Sequence, residues 1–166
     1  MINMRQVLTI ILVVSYLMVS VQGFEPIPLN ITVGVPFTPD TVKNISDAYL
    51  YHKTIEFVGV ILFDNHNLIK GVYVLSQGNK TRVSIPAADI VDFAVSKGAT
   101  GFMDWHNHPA PALYGPSESD KKMWIQIGLE ADRHGIVFRD SVIVLSRGFF
   151  DRVQDKIIWF PRNQTI

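Results

Sequence analysis

The chain of 166 residues contains no cysteine and no excess of charge of either sign. Without cysteine it forms no disulfide and no thiolate metal site, and it has no cysteine nucleophile or cysteine-linked lipid. Its 15 basic and 15 acidic side chains give a formal charge of zero. A surface that binds phosphate backbones or anionic membranes needs a clear excess of lysine and arginine. The composition therefore argues against a nucleic-acid partner.

The chain also lacks an apolar run of about twenty residues, the length that a membrane-spanning helix needs. The run from Val7 to Val21 is uncharged but shorter, follows Arg5 and ends in Val21-Gln22-Gly23. This pattern is typical of a signal peptide, here residues 1–23. An uncleaved N-terminal membrane anchor is the alternative. We therefore expect a secreted or exported protein, periplasmic or extracellular, that has no membrane contact after cleavage.

Four Asn-x-Ser/Thr sequons, at Asn30, Asn44, Asn79 and Asn163, occur among eight asparagines. Chance would give about one, so the sequons predict a glycosylated eukaryotic secretory protein. A small domain without cysteine is instead ordinary for a bacterial export pathway. Both sources are open on the sequence alone.

The rest of the chain has no internal repeat and no second domain, and its length suits a single core. Four prolines predict an extended lead-in over residues 24–49, with a helical turn near 42–49. Hydrophobic periodicity then predicts strands over 55–63, 68–76, 81–85, 99–105 and 136–146, helices over 86–98 and 117–134, and one or two strands within 149–160. This order predicts an α/β fold with a mixed sheet and helices packed on it.

One group of residues is typical of a catalytic metal site. His106-Asn107-His108 ends a predicted strand, and Asp120 lies in the first turn of the next helix. Side chains two residues apart on a strand share a face, so the two imidazoles can converge and Asp120 can reach them. Two imidazoles and one carboxylate leave the fourth position of a tetrahedral zinc ion to water, whose pKa falls to about 7. Glu56, on a predicted strand with no basic neighbour, is the candidate general base.

Each part of this group has a simpler explanation when taken alone. A His-x-His pair is commonly two partly exposed strand residues, and Glu56 alone would be a solvated glutamate. Ser117-x-x-Asp120 alone is a helix capping box. The occurrence of all the parts, in this order and on these elements, is what points to a metal site.

The ordered set resembles the JAMM (JAB/MPN) metalloenzymes, whose signature is an upstream Glu, then His-x-His, a short gap and Ser-x-x-Asp. Within that family the likeness is greatest to the RadC-like JAB domains. It is carried by VILFDNHNLIKG, SIPAADIVDFAVSKGA, HNHP and GIVFRDSVIVLS, over about residues 50–150. The resemblance implies a three-layer α/β/α sandwich shared with cytidine deaminases, in a domain that spans residues 50–166.

The resemblance also implies roles for the residues of the site. His106, His108 and Asp120 would be zinc ligands, Glu56 would take a proton from the attacking water, and Ser117 would help to hold the developing oxyanion. The protein would then be a zinc hydrolase of the metallopeptidase or isopeptidase type, cleaving an amide or isopeptide bond in a peptide or protein substrate. The alternative is a RadC-like accessory protein that binds metal and acts through DNA or a protein partner.

Three features depart from the RadC-like pattern. The segment PAPALYGP replaces a glycine-containing loop after His108, and Asp140-Ser141 replaces an Asp-His pair. Residues 24–50 carry no helix-hairpin-helix pattern. The missing hairpin pattern, the zero net charge and the N-terminal apolar segment favour the hydrolase over a protein that acts on DNA. The glutamate of the family pattern aligns with either Glu56 or Ile55.

Overall fold

The computed structural model describes residues 25–50, 54–79, 83–109 and 113–160. The predicted signal peptide or anchor, residues 1–23, and the sequon at Asn163 lie outside these ranges. Among the described residues, no helix is both long enough and apolar enough to cross a membrane.

Seven strands form one mixed sheet within the described residues. They are β1 (Ile27–Pro28), β2 (Phe57–Phe63), β3 (Ile69–Gln77), β4 (Gly101–Asn107), β5 (Val137–Leu145), β6 (Gly148–Asp151) and β7 (Lys156–Trp159). Their order across the sheet is β1-β3-β2-β4-β5-β6-β7, with only β4 and β5 parallel. The strand that ends in His106 and Asn107 is therefore the central one.

Three helices accompany the sheet in the described ranges: α1 (Pro39–Ile45), continued by a π-helical turn over Ser46–Leu50, α2 (Ala87–Ser96) and α3 (Glu118–His134). Proline at the first position and a capping box at Thr38 start α1. The helices α2 and α3 lie where helical spacing predicted them, and α3 ends at Gly135, whose φ is 64°. The coarse prediction, an α/β fold with a mixed sheet, is confirmed. The finer three-layer, cytidine-deaminase-like arrangement stays a prediction.

Two apolar clusters form the main core because alternate strand residues point to opposite faces of the sheet. One cluster joins α1 to strand residues such as Trp105. The other joins α2 and α3 to strand residues such as Val60 and Phe102. Since His106 follows Phe102 by four residues along β4, its side chain lies on the α2 and α3 face. The helices on that face can therefore contribute residues to the same site.

The predicted strand over 81–85 is wrong for the part that the structure describes. Val83 to Ile85 has no regular structure, and residues 81 and 82 lie outside the described ranges. The free edge of β3 instead pairs with Ile27 and Pro28 from the lead-in. A two-residue strand that contains proline suits a sheet edge, where one backbone donor can be spared.

Candidate metal site and its cavity

The two histidines lie at the carboxyl end of the central strand. His106 is the sixth residue of β4, and His108 continues the pairing, because its backbone N–H donates to the Val144 carbonyl at 3.1 Å. Both side chains are buried, and their ring centroids lie 5.2 Å apart. As the i and i+2 spacing predicted, the two imidazoles converge on one side of the sheet.

Asp120 is held toward these histidines by the start of α3. Ser117 caps the helix: its Oγ accepts a hydrogen bond from the Asp120 backbone N–H at 3.2 Å. In return, Asp120 Oδ2 accepts hydrogen bonds from the Ser117 N–H and the Ser117 hydroxyl, each at 2.7 Å. The capping box predicted from the sequence is therefore present. It also fixes the orientation of a candidate metal ligand.

The three side chains have the separation of metal ligands. His106 Nε2 lies 3.3 Å from Asp120 Oδ1, and His108 Nε2 lies 3.5 Å from Asp120 Oδ2. Ligand atoms of a tetrahedral zinc ion, each bound at 2.0–2.1 Å, are about 3.4 Å apart. His106 Nε2 is also buried and makes no hydrogen bond of good geometry among the described residues. The group could therefore hold a metal ion.

The pKa of Asp120 reflects two opposing effects. Burial of the carboxyl raises this pKa, whereas close contacts with the two imidazoles and the Ser117 hydroxyl lower it by more. The net pKa lies well below the ordinary value of an aspartate. Asp120 is thus an anion whenever the site is at neutral pH, as a carboxylate ligand must be.

Glu56 lies one residue before β2, not within a strand as predicted. It lines the same cavity as Ser117 and as the three candidate ligands His106, His108 and Asp120, here called the triad. The Glu56 N–H donates to the Asn79 carbonyl at 2.9 Å, and the Glu56 carbonyl accepts from the Gly78 N–H at 2.8 Å. On its other side this segment contacts the side chain of Asn107.

Asn107 was read from the sequence only as the spacer between two histidines. Its side chain is buried, its Oδ1 accepts from the Phe57 N–H at 2.8 Å, and its Nδ2 donates to the Ile55 carbonyl at 3.0 Å. The amide therefore ties both neighbours of Glu56 to the strand that carries the histidines. A signal existed in the sequence, since an asparagine that ends a strand has both a donor and an acceptor to satisfy.

A cavity of about 240 Å³ extends from the triad into the space between the sheet and the helices. Its apolar walls come from β2, from the segment before α2, and from α2 and α3: Val58, Val83, Ile85, Ile90, Met123 and Trp124. Tyr114, from the segment that replaces the family loop, lies at the cavity with its ring centroid 4.9 Å from that of His108. Tyr114 was not predicted, and residues 110–112 of that segment lie outside the described ranges.

Asp104 is a further acid of this cavity that the sequence reading missed. It lies two residues before His106 on β4, on the same face, and its side chain is buried. Burial raises the pKa of Asp104 to about 6, while His106, Ser141 and Arg152 act in the opposite direction. Ser141, which replaces the histidine of the family pattern, lies opposite Asp104 on β5. Neither Asp104 Oδ1 nor Ser141 Oγ has a hydrogen-bond partner among the described residues.

A curated protein of the bacterium Finegoldia magna, named UPF0758 protein, is similar to this chain. The two are 28% identical over 108 residues, which is 65% of this chain and 48% of that protein. The chain thus spans about half the length of this relative.

A family model described as RadC-like JAB domain matches residues 37–155. This match and the bacterial relative correct one set of expectations, namely a signal peptide, secretion and glycosylation. Both support a RadC-like JAB domain, and neither supports any of those three properties. We therefore withdraw the interpretation of the chain as a secreted glycoprotein.

The matched segment begins before α1 and ends after β6, so it includes most of the sheet and all three described helices. It also contains every predicted site residue: Glu56, His106, His108, Ser117 and Asp120. The resemblance read from those motifs is confirmed. Because the match covers well over half of the sequence, the chain belongs to the family of RadC-like JAB domains.

Proposed function

We propose that this protein is a zinc-dependent hydrolase that cleaves an amide or isopeptide bond in a peptide or protein substrate. The observation that supports this most is the convergence of His106, His108 and Asp120 on one cavity that is also lined by Glu56. A structural zinc site is closed by four protein ligands, whereas a catalytic site has three and keeps a position for water or substrate. The three-ligand group fits the second kind.

Zinc suits the donor set of this group. Imidazole nitrogens and a carboxylate oxygen are common zinc ligands, and the contacts of 3.3 and 3.5 Å are close to the edge length of a tetrahedral site. A zinc ion bound there supplies a Lewis acid that makes water nucleophilic at neutral pH and polarises a carbonyl group. The other residues of the site would then hold the reacting groups in place. Asn107 holds the segment of Glu56, Ser117 holds Asp120, and Tyr114 packs against His108.

Glu56 moves the proton in the proposed reaction. Its carboxylate takes a proton from the attacking water as the water oxygen bonds to the substrate carbonyl carbon. As the carbon–nitrogen bond breaks, Glu56 gives that proton to the leaving amine, so its own charge is restored. Hydrogen bonds hold the Glu56 backbone to Asn79 and Gly78, and the Asn107 side chain holds both chain neighbours of Glu56. These bonds support the role of Glu56 as the base. A base must keep its place through both transfers.

Ser117 serves two purposes in this proposal. Its hydroxyl hydrogen is directed at Asp120 Oδ2 in the structure, which holds the ligand and the helix start. The same hydroxyl lines the cavity, and a small rotation would direct it to the oxyanion that develops on the substrate carbonyl. Ser117 would therefore act mainly by orienting Asp120, and in part by donating a hydrogen bond to the oxyanion.

The test separates metal ligands from the base. Ala in place of His106, His108 or Asp120 should remove zinc, since two protein ligands rarely hold it against a chelator. Glu56→Gln should keep full zinc content, yet cleavage of a peptide library should fall by at least about a hundredfold, the usual contribution of a positioned base. Glu118→Gln, an exposed neighbour of the site, is the matched control and should change neither quantity.

Two results would contradict the proposal. If the histidine variants kept both zinc and activity, the metal assignment would be wrong. If the zinc-loaded wild-type protein cut no member of a broad peptide and isopeptide library, the accessory role through DNA or a protein partner would become the better explanation.

A further inference from the structure

The cavity beside the metal group has an unusual balance of charge. Three carboxylates line it, those of Glu56, Asp104 and Asp120, and no lysine or arginine is among its described lining residues. A divalent ion would offset two of the three negative charges and leave about one. A site of this kind favours a cationic ligand over a neutral one of the same shape.

Asp104 is the carboxylate that nothing else in the described site explains. Asp120 contacts both histidines, whereas Asp104 lies two residues before His106 on β4 and is 4% exposed. Its Oδ1 is buried and has no hydrogen-bond partner among the described residues. The nearby Arg152 directs its Nε toward Asp140, at 3.5 Å, and forms no ion pair with Asp104. A buried carboxylate oxygen without a hydrogen-bond partner costs stability, so a ligand that donates to it gains affinity.

Part of the cavity that Asp104 lines has aliphatic walls. Val58, Ile90 and Met123 come from three different elements and line the same cavity. Apolar walls together with a buried acid, Asp104, match a side chain that has an aliphatic stem and a charged tip. Lysine and arginine are the side chains with this composition.

We propose that Asp104 determines specificity by pairing with a basic side chain next to the bond to be cleaved. This inference rests on the proposed function for the position of the bond, because that function places the reacting carbonyl at the triad. Asp104 itself touches the substrate but takes no part in the proton transfers. A basic residue on the substrate would be drawn in by the charge and held by the aliphatic walls.

The experiment measures binding, not turnover, so that the two proposals can fail separately. The zinc-loaded protein of 166 residues is titrated calorimetrically at neutral pH with lysine hydroxamate and with norleucine hydroxamate, which lacks only the charged tip of the side chain. The wild type should bind the lysine compound at least about tenfold more tightly. Nε-acetyl-lysine hydroxamate and glutamine hydroxamate should bind no better than the norleucine compound, because neither carries a positive charge on its side chain.

Asp104→Asn keeps the size of the side chain and should reduce the preference for lysine to within about twofold. Asp140→Asn is the matched control: Asp140 is also a buried acid, on the adjacent strand, but it does not line the cavity. It should keep the wild-type preference. Equal binding of lysine and norleucine by the wild type, or an unchanged preference in Asp104→Asn, would overturn the inference. Equal binding of lysine and glutamine would overturn its charge component.

Cleavage of peptides by the same preparation identifies which proposal has failed. If the protein cleaved peptides but showed no preference for basic residues in binding or in cleavage, the hydrolase proposal would be supported and the role of Asp104 would be wrong. A clear lysine preference in binding without any cleavage would support the basic-residue site and defeat the hydrolase. If the zinc-loaded protein bound neither hydroxamate and cleaved no peptide, both proposals would be wrong.

Discussion

At the scale of single residues, the side chain between the two histidines has a purpose of its own. The side chains of His106 and His108 point to the face of the sheet that α2 and α3 cover. The side chain of Asn107, between them, points away from that face and contacts the segment that carries Glu56. Its donor and its acceptor are both used, on Ile55 and on Phe57. The strand end that carries the two candidate metal ligands therefore also fixes the position of the candidate base. A displacement of the end of β4 would therefore also displace Glu56.

Replacing Asn107 with Ala should lower activity without removing zinc. The change deletes two buried hydrogen bonds, so we expect a loss of stability of about 1–3 kcal/mol. It also frees the backbone at Glu56, and cleavage should fall by about tenfold or more in kcat, with KM nearly constant. Zinc content, urea unfolding and steady-state kinetics are the measurements.

Asn65→Ala, in the exposed turn between β2 and β3, is the control and should leave all three measurements unchanged. Asn107→Asp keeps the acceptor for the Phe57 N–H but replaces the donor to the Ile55 carbonyl with an acceptor, so it should not recover the loss in stability. If Asn107→Ala lowered stability but left kcat at its wild-type value, the amide would be structural only. The role in positioning Glu56 would then be wrong.

At the scale of elements, α3 contributes to the site through its first turn. The cap that stabilises this helix uses the same serine and aspartate that line the cavity. The two requirements agree, because a carboxylate at the helix start is stabilised by the helix dipole and held by the serine. The other end of α3, at Gly135, lies away from the site and permits a matched comparison.

Ser117→Ala should keep zinc, lose about 1 kcal/mol of stability and reduce activity by less than Glu56→Gln does. Gly135→Ala should lose about as much stability, because the left-handed backbone at φ 64° disfavours a side chain although no atom lies within 4 Å. Its activity should equal that of the wild type. Similar activity losses in the two variants would indicate that Ser117 acts only through the stability of α3.

The elements also show where the sequence was informative. Spacing of apolar residues predicted α2 and α3 because both helices bury one face against the sheet, through Ile90 and Ile127 for example. The strand near Val83 was wrong, because β-branched composition does not reveal that the lead-in already covers that edge of β3. In the same way, the ligand spacing predicted the triad. The same alternation places Asp104 on the face of the histidines, although it was not predicted, whereas the contacts of Asn107 depend on strand pairing, which local patterns do not specify.

At the scale of the whole molecule, the formal charge is zero, with 15 side chains of each sign. Binding to duplex DNA draws most of its nonspecific free energy from the release of counterions, and this needs a surplus of basic groups. The charge balance thus bears directly on the alternative function.

Duplex DNA should bind no more tightly than about 10⁻⁴ M at physiological salt. Fluorescence anisotropy with a labelled duplex, repeated over a series of salt concentrations, is the measurement. A submicromolar affinity that weakened steeply with salt would support the accessory role over the hydrolase. A basic oligopeptide of equal length serves as a positive control for the assay.

The two apolar clusters have a consequence for the order in which the molecule is assembled. His108 and Asp120 are only twelve positions apart in the chain, and β4 and α3 are already joined by the cluster that contains Phe102 and Ile127. The ion would therefore enter a protein that has already folded. Chelation should act as a reversible switch, and added zinc should restore function at the rate of binding without a refolding phase.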